Sequence, residues 1–243
     1  MVSTIRFASD DFGAEDGATV TDGAASEELH YFQVLEEAFI RLRGAPLLLS
    51  PADWRVAQRW RELGIPLDFA VAGMTEVFAR RRERGSEDRV SSLRYCARAV
   101  ESGWRRAEEL AGPPRRSAGP ALDTGARLQS LARSIPAGFP DAERIVRSVL
   151  ALRGDAAAVE AALVTIDETM LERAAAHLGS EEKAELDRWL ERRLDSLRER
   201  FDSDELAGAA ARLRSRELRR RAKLPLLSLF SPQAETGGET TSD

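Results

Sequence analysis

The positions of the apolar side chains along residues 27–111 predict four helices. In the first, from about Glu27 to Arg43, apolar residues recur at steps of three and four and therefore share one face: Phe32, Leu35, Phe39 and Leu42. The second opens at Ser50-Pro51-Ala52-Asp53, which supplies an N-cap, a proline at the first helical position and an acidic side chain at the positive helix end. Gly44 and Gly64 are expected to end these two helices.

Two further helices are expected after Gly64. The third begins at Pro66, and the fourth begins near Ser91 or Ser92. The predicted inward positions are Phe69, Ala70, Met74, Val77 and Phe78 on the third helix, and Leu93, Cys96, Val100 and Trp104 on the fourth. Because the connecting loops are short, we expect neighbouring helices to pack closely.

A second helical region is predicted over residues 124–223. It contains strongly periodic segments separated by glycine-polar pairs and has no proline between Asp141 and Leu224. We expect three to five helices there, arranged as a bundle or an arm. Since no segment of strand length alternates between apolar and polar residues, the predicted fold class is all-α.

The rest of the chain divides by composition. Residues 1–26 are acidic and without period, so we expect a disordered leader. Residues 112–123 are rich in proline and glycine and indicate a linker between residues 27–111, the first helical domain, and residues 124–223. Residues 224–243 are predicted to be a tail that carries a short apolar motif.

Composition narrows the classes of protein. Of 243 residues, 43% are apolar, which is enough for a packed interior, and the formal net charge is −5. A single cysteine, Cys96, excludes a disulfide framework and a multi-cysteine metal site. The absence of a long apolar run and of a signal pattern leads us to expect a cytoplasmic protein that does not span a membrane.

The chemistry-bearing residues favour a non-enzymatic protein with no cofactor and no metal. His30 and His177 lie far apart in the chain, and Cys96 falls on an apolar helix face. The glycine-rich phosphate-binding motifs are missing. Glu36 and Glu37 are adjacent, so their side chains are expected to diverge around the helix rather than share a proton. A pocket with convergent carboxylates and a shifted pKa would favour an enzyme instead.

Arginines supply the candidate DNA contacts, because phosphate binding needs clustered positive charge. In the first region, the candidate arginines are Arg80, Arg81, Arg82, Arg84, Arg94, Arg98, Arg105 and Arg106. At the end of the last helix, the candidates are Arg212, Arg216, Arg219, Arg220, Arg221 and Lys223. The alternative interpretation of both sets is cations that complement helix C-termini on a solvated face.

The order of these features resembles the C-terminal domain of DnaD-type primosome proteins. The resemblance runs from Phe32 to Trp104 and comprises a Leu49-Ser50-Pro51 helix start, Trp60 four residues before Gly64, and a last helix with a tyrosine, an aliphatic residue and a tryptophan. It implies a helical domain that binds DNA and replication proteins. The spacing from Tyr95 to Trp104 is one residue longer than is common in that family, which places Trp104 in line with the core positions and leaves Tyr95 as the candidate surface contact.

A second resemblance lies in the tail. The segment Leu226-Leu227-Ser228-Leu229-Phe230 resembles the pentapeptide with which bacterial replication and repair proteins bind the sliding clamp, with Leu226 where a glutamine is typical. The resemblance implies that these five residues bind a partner, with Leu229 and Phe230 as anchors. The alternative is that the same apolar residues fold back onto the helices as a C-terminal staple.

Together these features predict a non-enzymatic, replication-associated adaptor. Its expected partners are single-stranded or duplex DNA and replication proteins such as the sliding clamp or the replicative helicase, and self-association stays open. The alternative is a helical scaffold that binds only proteins, and its mark would be binding that is insensitive to salt.

Overall fold

The computed structural model describes residues 19–44, 49–85, 90–111, 122–195, 197–199 and 201–235, with side chains from Ser26 onward except at positions 111 and 204. These residues form ten helices and no strand, which confirms the all-α prediction. The helices are α1 (Thr19–Arg43), α2 (Pro51–Glu62), α3 (Leu67–Glu83), α4 (Arg94–Ala111), α5 (Thr124–Ser134), α6 (Ala142–Ala151), α7 (Ala156–His177), α8 (Ser180–Asp195), α9 (Ser203–Ala222) and α10 (Pro232–Glu235).

The predicted boundaries agree with α2, α3 and α4 to within a few residues, whereas α1 begins earlier than expected. It starts at Thr19 instead of Glu27, so part of the predicted disordered leader is helical. Residues 19–26 carry no apolar period, and a helix extends beyond its apolar face because each added residue forms one more backbone hydrogen bond. Residues 1–18 and most of the predicted linker, 112–121, lie outside the described residues.

Helix α1 lies at the centre of the molecule and packs against α2, α3, α7, α9 and α10. The ring of Phe32 stacks on Trp54 of α2, with ring centres 3.6 Å apart, and Phe39 meets Phe78 of α3 edge to face. The hydroxyl group of Tyr31 donates a hydrogen bond to the carbonyl oxygen of Ile65. Of the positions of α1 that were predicted to face inward, Phe32, Leu35 and Phe39 are core, and Leu42 is partly buried against it.

One hydrophobic core runs through both predicted regions. It joins Trp60 and Met74, from the first four helices, to Leu131 and Leu163, from α5 and α7. Helix α1 supplies the shared wall, because residues on different sides of it are buried against each half. The two regions are therefore docked, and the second is a packed array of five helices rather than an extended arm.

Residues 224–231, the C-terminal segment, cross the molecule as a buried, mostly non-helical stretch. The side chains of Leu227 and Leu229 are fully buried, and Leu226 is 1% exposed. Carboxylates on α7 bind the backbone of the segment: Asp167 accepts from the N–H of Leu227 at 3.0 Å, and Glu160 accepts from the N–H of Leu229 at 2.8 Å. Side chains on one face of α7 thus satisfy backbone groups that would otherwise be buried without a partner.

The structure corrects the expectation of an exposed docking motif. Ser228 and Phe230 are buried along with the three leucines, so none of Leu226, Leu227, Ser228, Leu229 and Phe230 is available to a partner in this conformation. The segment follows the alternative arrangement, a C-terminal staple. The physical reason is that α9 ends at Ala222 beside an apolar surface, with Lys223 in the left-handed conformation (φ 54°), and four large apolar side chains gain more by covering that surface than by contacting water.

Candidate nucleic-acid interface

Helices α8 and α9 form an antiparallel pair. The loop between them is short, and the guanidinium group of Arg221 at the end of α9 donates to the carbonyl oxygen of Glu182 at the start of α8, at 3.3 Å. Leu186 of α8 and Leu213 of α9 are buried within the pair. The packing of these leucines fixes the rest of each helix in place.

A groove of about 840 Å³ lies along this pair. Five residues from each helix line it, and in both helices they follow the spacing i, i+3, i+4, i+7 and i+8, so each set forms one helical face. The lining residues are Glu185, Arg188, Trp189, Arg192 and Arg193 from α8, and Leu213, Arg216, Glu217, Arg220 and Arg221 from α9. This surface is called the arginine groove below.

The arginine groove carries an excess of positive charge, since six arginines face two glutamates. Glu217 is buried and accepts hydrogen bonds from Arg220 and Arg221, and the bond from Arg220 is the largest cause that lowers its pKa to about 2. Glu217 is therefore ionised at neutral pH and holds these two arginines. Arg188, Arg192 and Arg216 are exposed and form no ion pair with any residue in the described ranges.

The groove also contains an aromatic side chain. Trp189 is half-buried, and the guanidinium group of Arg193 lies over its ring, 5.8 Å from the ring centre. Aromatic rings next to arginines are typical of surfaces that bind single-stranded nucleic acid, where bases stack while cations contact the phosphates. The predicted contacts Arg216, Arg220 and Arg221 all lie in this groove.

The prediction that Arg212 and Arg219 contact DNA is wrong, because both side chains are buried. The guanidinium group of Arg212 lies 3.5 Å from the centre of the Trp54 ring, on the opposite face from Phe32. Burial lowers the pKa of Arg212 to about 10. A run of arginines covers several faces of a helix, and one of those faces packs inward here.

Arg219 is held by a buried ion pair. Its two terminal nitrogens donate to the two carboxylate oxygens of Asp167, and one of them also donates to the carbonyl oxygen of Pro225 at 2.8 Å. Only 8% of its side chain and 5% of the Asp167 side chain are exposed. Arg219 therefore ties α9 to α7 and to the C-terminal segment.

The candidates in the first region lie on the surface of α3 and α4. The guanidinium group of Arg81 lies 5.5 Å from the centre of the Tyr95 ring and donates to its hydroxyl oxygen at 3.4 Å, and Tyr95 is 52% exposed. Arg80 is paired with Glu76 on its own helix. The remaining candidates are exposed, namely Arg82, Arg84, Arg94, Arg98, Arg105 and Arg106, and so is Lys223 after α9. Arg105 and Arg106 are about 17 Å along α4 from Arg94, so this set is spread out rather than clustered.

Sequence analysis missed the contribution of α8. Arg188, Arg192 and Arg193 share one helical face with Trp189. The apolar periodicity of that helix predicts only its inner face. The signal in the sequence is the matching spacing of arginines, since Arg188 and Arg192 repeat the four-residue step of Arg216 and Arg220.

Glu36 and Glu37 both line one cavity between α1 and α9, and burial is the largest cause that raises the pKa of each, for Glu37 to about 7. Glu36 accepts a hydrogen bond from the backbone N–H of Leu49, and Oε2 of Glu37 has no hydrogen-bond partner in the described residues. In the described ranges, no helix is long and apolar enough to cross a membrane, and no cluster of three or more histidine, cysteine or acidic residues could hold a metal ion.

Comparison with known proteins adds one match. A family model described only as "Uncharacterised protein" matches residues 26–110, which include most of α1 and nearly all of α4 and stop before the arginine groove. No curated protein matches the chain. No solved structure matches it either.

Proposed function

We propose that this chain binds DNA along the arginine groove and serves as a non-enzymatic adaptor in DNA replication. The observation that supports DNA binding is the groove itself, with six arginines from two paired helices and a tryptophan among them. Arginine is suited to phosphate because its planar group donates two parallel hydrogen bonds.

Three of the six arginines in the groove are available to bind phosphate. Arg188, Arg192 and Arg216 have no ion-pair partner within the described part of the chain, so a phosphate can approach them without displacing a carboxylate. Helices α8 and α9 already hold their backbones in place, which reduces the entropy lost on binding. The span from position 185 to 193 is about 12 Å of helix, which fits a contact with a few nucleotides.

The net charge of −5 does not oppose this proposal. DNA responds to the local potential near its phosphates, and charges beyond about 10 Å are largely screened at moderate salt. A negative chain with one basic groove is expected to bind DNA there and to repel it elsewhere. The exposed Tyr95, with Arg81 beside it, is the second surface that we propose contacts DNA.

The replication part of the proposal depends on the resemblance of residues 32–104 to DnaD-type primosome proteins. The match to an uncharacterised family covers nearly the same helices, and its description names no activity. The clamp-like pentapeptide adds no support, because it is buried in the C-terminal segment. A replicative helicase therefore fits the proposal better than the sliding clamp as the protein partner.

Fluorescence anisotropy with labelled single-stranded and duplex oligonucleotides at low salt tests DNA binding. We expect a complex with the native chain and a loss of affinity of at least tenfold in the double variant Arg188→Gln, Arg192→Gln. Arg147→Gln, on the exposed side of α6, is the matched control and is expected to bind normally. If no complex forms, or if the groove variant binds as well as the control, the chain does not bind DNA here and the scaffold alternative is favoured.

A further inference from the structure

A second cavity lies between α1, α9 and the start of α10, away from the outer face of α8. Its volume is about 280 Å³. Ligand pockets for drug-sized compounds span about 300–1,000 Å³, so this cavity suits a smaller molecule. The polar side chains of its wall include Gln33, Glu36 and Glu37 from α1 and Arg216 from α9.

Gln33 offers a donor that has no partner. The residue is only 8% exposed, and its side-chain oxygen accepts a hydrogen bond from Arg219 at 3.2 Å. Because that bond fixes the orientation of the amide, Nε2 is the free end, and it is buried without a hydrogen-bond partner in the described structure. Native proteins rarely leave such a group unpaired, so its presence in a cavity wall indicates that something else binds it.

An unpaired acceptor lies in the same cavity. Oε2 of Glu37 is buried and has no hydrogen-bond partner in the described residues. Its neighbour Glu36 differs, because it accepts a hydrogen bond from the backbone N–H of Leu49 at 3.2 Å. The cavity therefore presents a donor without an acceptor and an acceptor without a donor.

The cavity wall contains both cationic and acidic side chains. Arg219 is neutralised by Asp167, and Arg41 is paired with Glu235. Two cations of the lining have no ion pair in the described ranges: Arg212, which is buried against the Trp54 ring, and Arg216, which is exposed. Glu36 and Glu37 remain as carboxylic groups. Burial disfavours the ionised form of both glutamates, and a bound cationic group would restore it.

We propose that this cavity binds a small zwitterion of the α-amino acid class. The ligand carboxylate accepts hydrogen bonds from Nε2 of Gln33 and from the guanidinium group of Arg216, and the ligand ammonium group donates to Glu37. A simple anion would leave Oε2 of Glu37 unpaired, and a simple cation would leave Gln33 and Arg216 unpaired. Only a ligand that carries both charges uses all three groups.

The inference does not rest on DNA binding, but Arg216 lines both the cavity and the arginine groove, so Arg216→Gln is expected to weaken both kinds of binding. Thermal unfolding of the native chain tests it with the common α-amino acids, supplied one at a time. We expect at least one of them to raise the Tm by an amount that grows with concentration, since a ligand that binds only the folded state stabilises it. Calorimetric titration with that amino acid then measures the Kd.

Blocked derivatives identify the chemistry without any change in the protein. For the amino acid that binds, its N-acetyl form lacks the ammonium group and its amide lacks the carboxylate, so both are expected to leave the Tm unchanged. Glu37→Gln and Arg216→Gln should each weaken binding of the free amino acid at least tenfold, while Arg220→Gln, which changes only the groove, should not. The proposal is wrong if no amino acid binds, if the blocked forms bind equally well, or if acetate alone stabilises the chain to the same extent.

Discussion

The carboxylate of Asp53 accepts a hydrogen bond from the backbone N–H of Leu93 at 2.6 Å, although the two residues belong to the starts of different helices. The same oxygen accepts from the hydroxyl group of Ser92. The other oxygen of Asp53 accepts from the backbone N–H of Ser50 at 2.9 Å and completes the capping box of α2. One side chain, 1% exposed, therefore satisfies donors at the starts of both α2 and α4.

Replacing Asp53 with alanine should destabilise the fold more than the loss of an ordinary cap. A single N-cap contributes about 1 kcal/mol. Because the loss of the Asp53 carboxylate also leaves buried donors without an acceptor, we expect the free energy of unfolding to fall by about 3 kcal/mol. Asp123→Ala is the control, because Asp123 caps only α5 and is exposed. Urea unfolding followed by circular dichroism measures both, and equal losses would contradict the double role of Asp53.

The ion pair between Arg219 and Asp167 predicts that these residues act on stability rather than on DNA. Arg219→Ala leaves Asp167 as an uncompensated buried charge, which costs about 3–5 kcal/mol. Arg147→Ala, at an exposed site on α6, removes an arginine without a buried partner in the described residues and should leave the Tm nearly unchanged. If Arg219→Ala preserved the Tm and weakened DNA binding, the assignment of Arg219 to the core would be wrong.

The buried leucines of the C-terminal segment should be as important for stability as those of any helix. Leu227 is fully buried, so Leu227→Ala should cost about 2–5 kcal/mol through lost burial and the cavity that remains. Leu110, 81% exposed at the end of α4, is the matched control, and Leu110→Ala should have little effect. A negligible change in the Leu227→Ala Tm would show that the segment is displaced in solution and is free to bind a partner.

The arginine groove makes a quantitative prediction about salt. Each arginine that neutralises a phosphate contributes to the slope of log K against log salt, and removing one should reduce that slope by about 1. Arg192→Gln should show this reduction with an unchanged Tm, because Arg192 is exposed and has no ion pair within the described residues. An unchanged slope would place the DNA contact elsewhere, with the surface around Tyr95 as the next candidate.

How far the sequence predicts this structure depends on how local each signal is. The Ser50-Pro51-Asp53 start of α2 and the Leu93–Cys96–Val100 face of α4 are set by capping and helical periodicity, and both were predictable. The burial of Arg219 was not, because it depends on Asp167, which is 52 residues away in the chain. Helix propensity and charge are the same for a buried and an exposed arginine, so only the tertiary partner distinguishes them.

The same reasoning explains the C-terminal segment and the groove. An apolar pentapeptide after a helix end is compatible with a free motif or with a staple. Here the carboxylates of Glu160 and Asp167 bind its backbone and stabilise the staple. The groove required two helices to be paired before arginines that are 24 to 33 positions apart, such as Arg188 with Arg221 and Arg192 with Arg216, could line one surface. These are properties of packing and not of any window of sequence.

The pKa of Glu37 predicts how stability changes with pH. Burial raises this pKa from 4.5 to about 7, so between these values the folded state binds more protons than the unfolded state does. Stability from this group is therefore fully present below about pH 4.5 and is lost as the pH rises through 7, by at most about 3 kcal/mol. Glu36 acts in the same direction, since burial raises its pKa as well.

Glu37→Gln removes that loss, because glutamine stays neutral at every pH. In buffer without amino acids, we expect the variant to be more stable than the native chain at about pH 8.5 and nearly equal to it at about pH 4.5, where Glu37 is protonated. Glu62→Gln, at an exposed site on α2, should show no such dependence. Urea unfolding across this pH range measures the difference. A Glu37→Gln variant that is equally or less stable at high pH would mean that the glutamate is ionised and well solvated in the cavity, and its unpaired oxygen would then be explained by water.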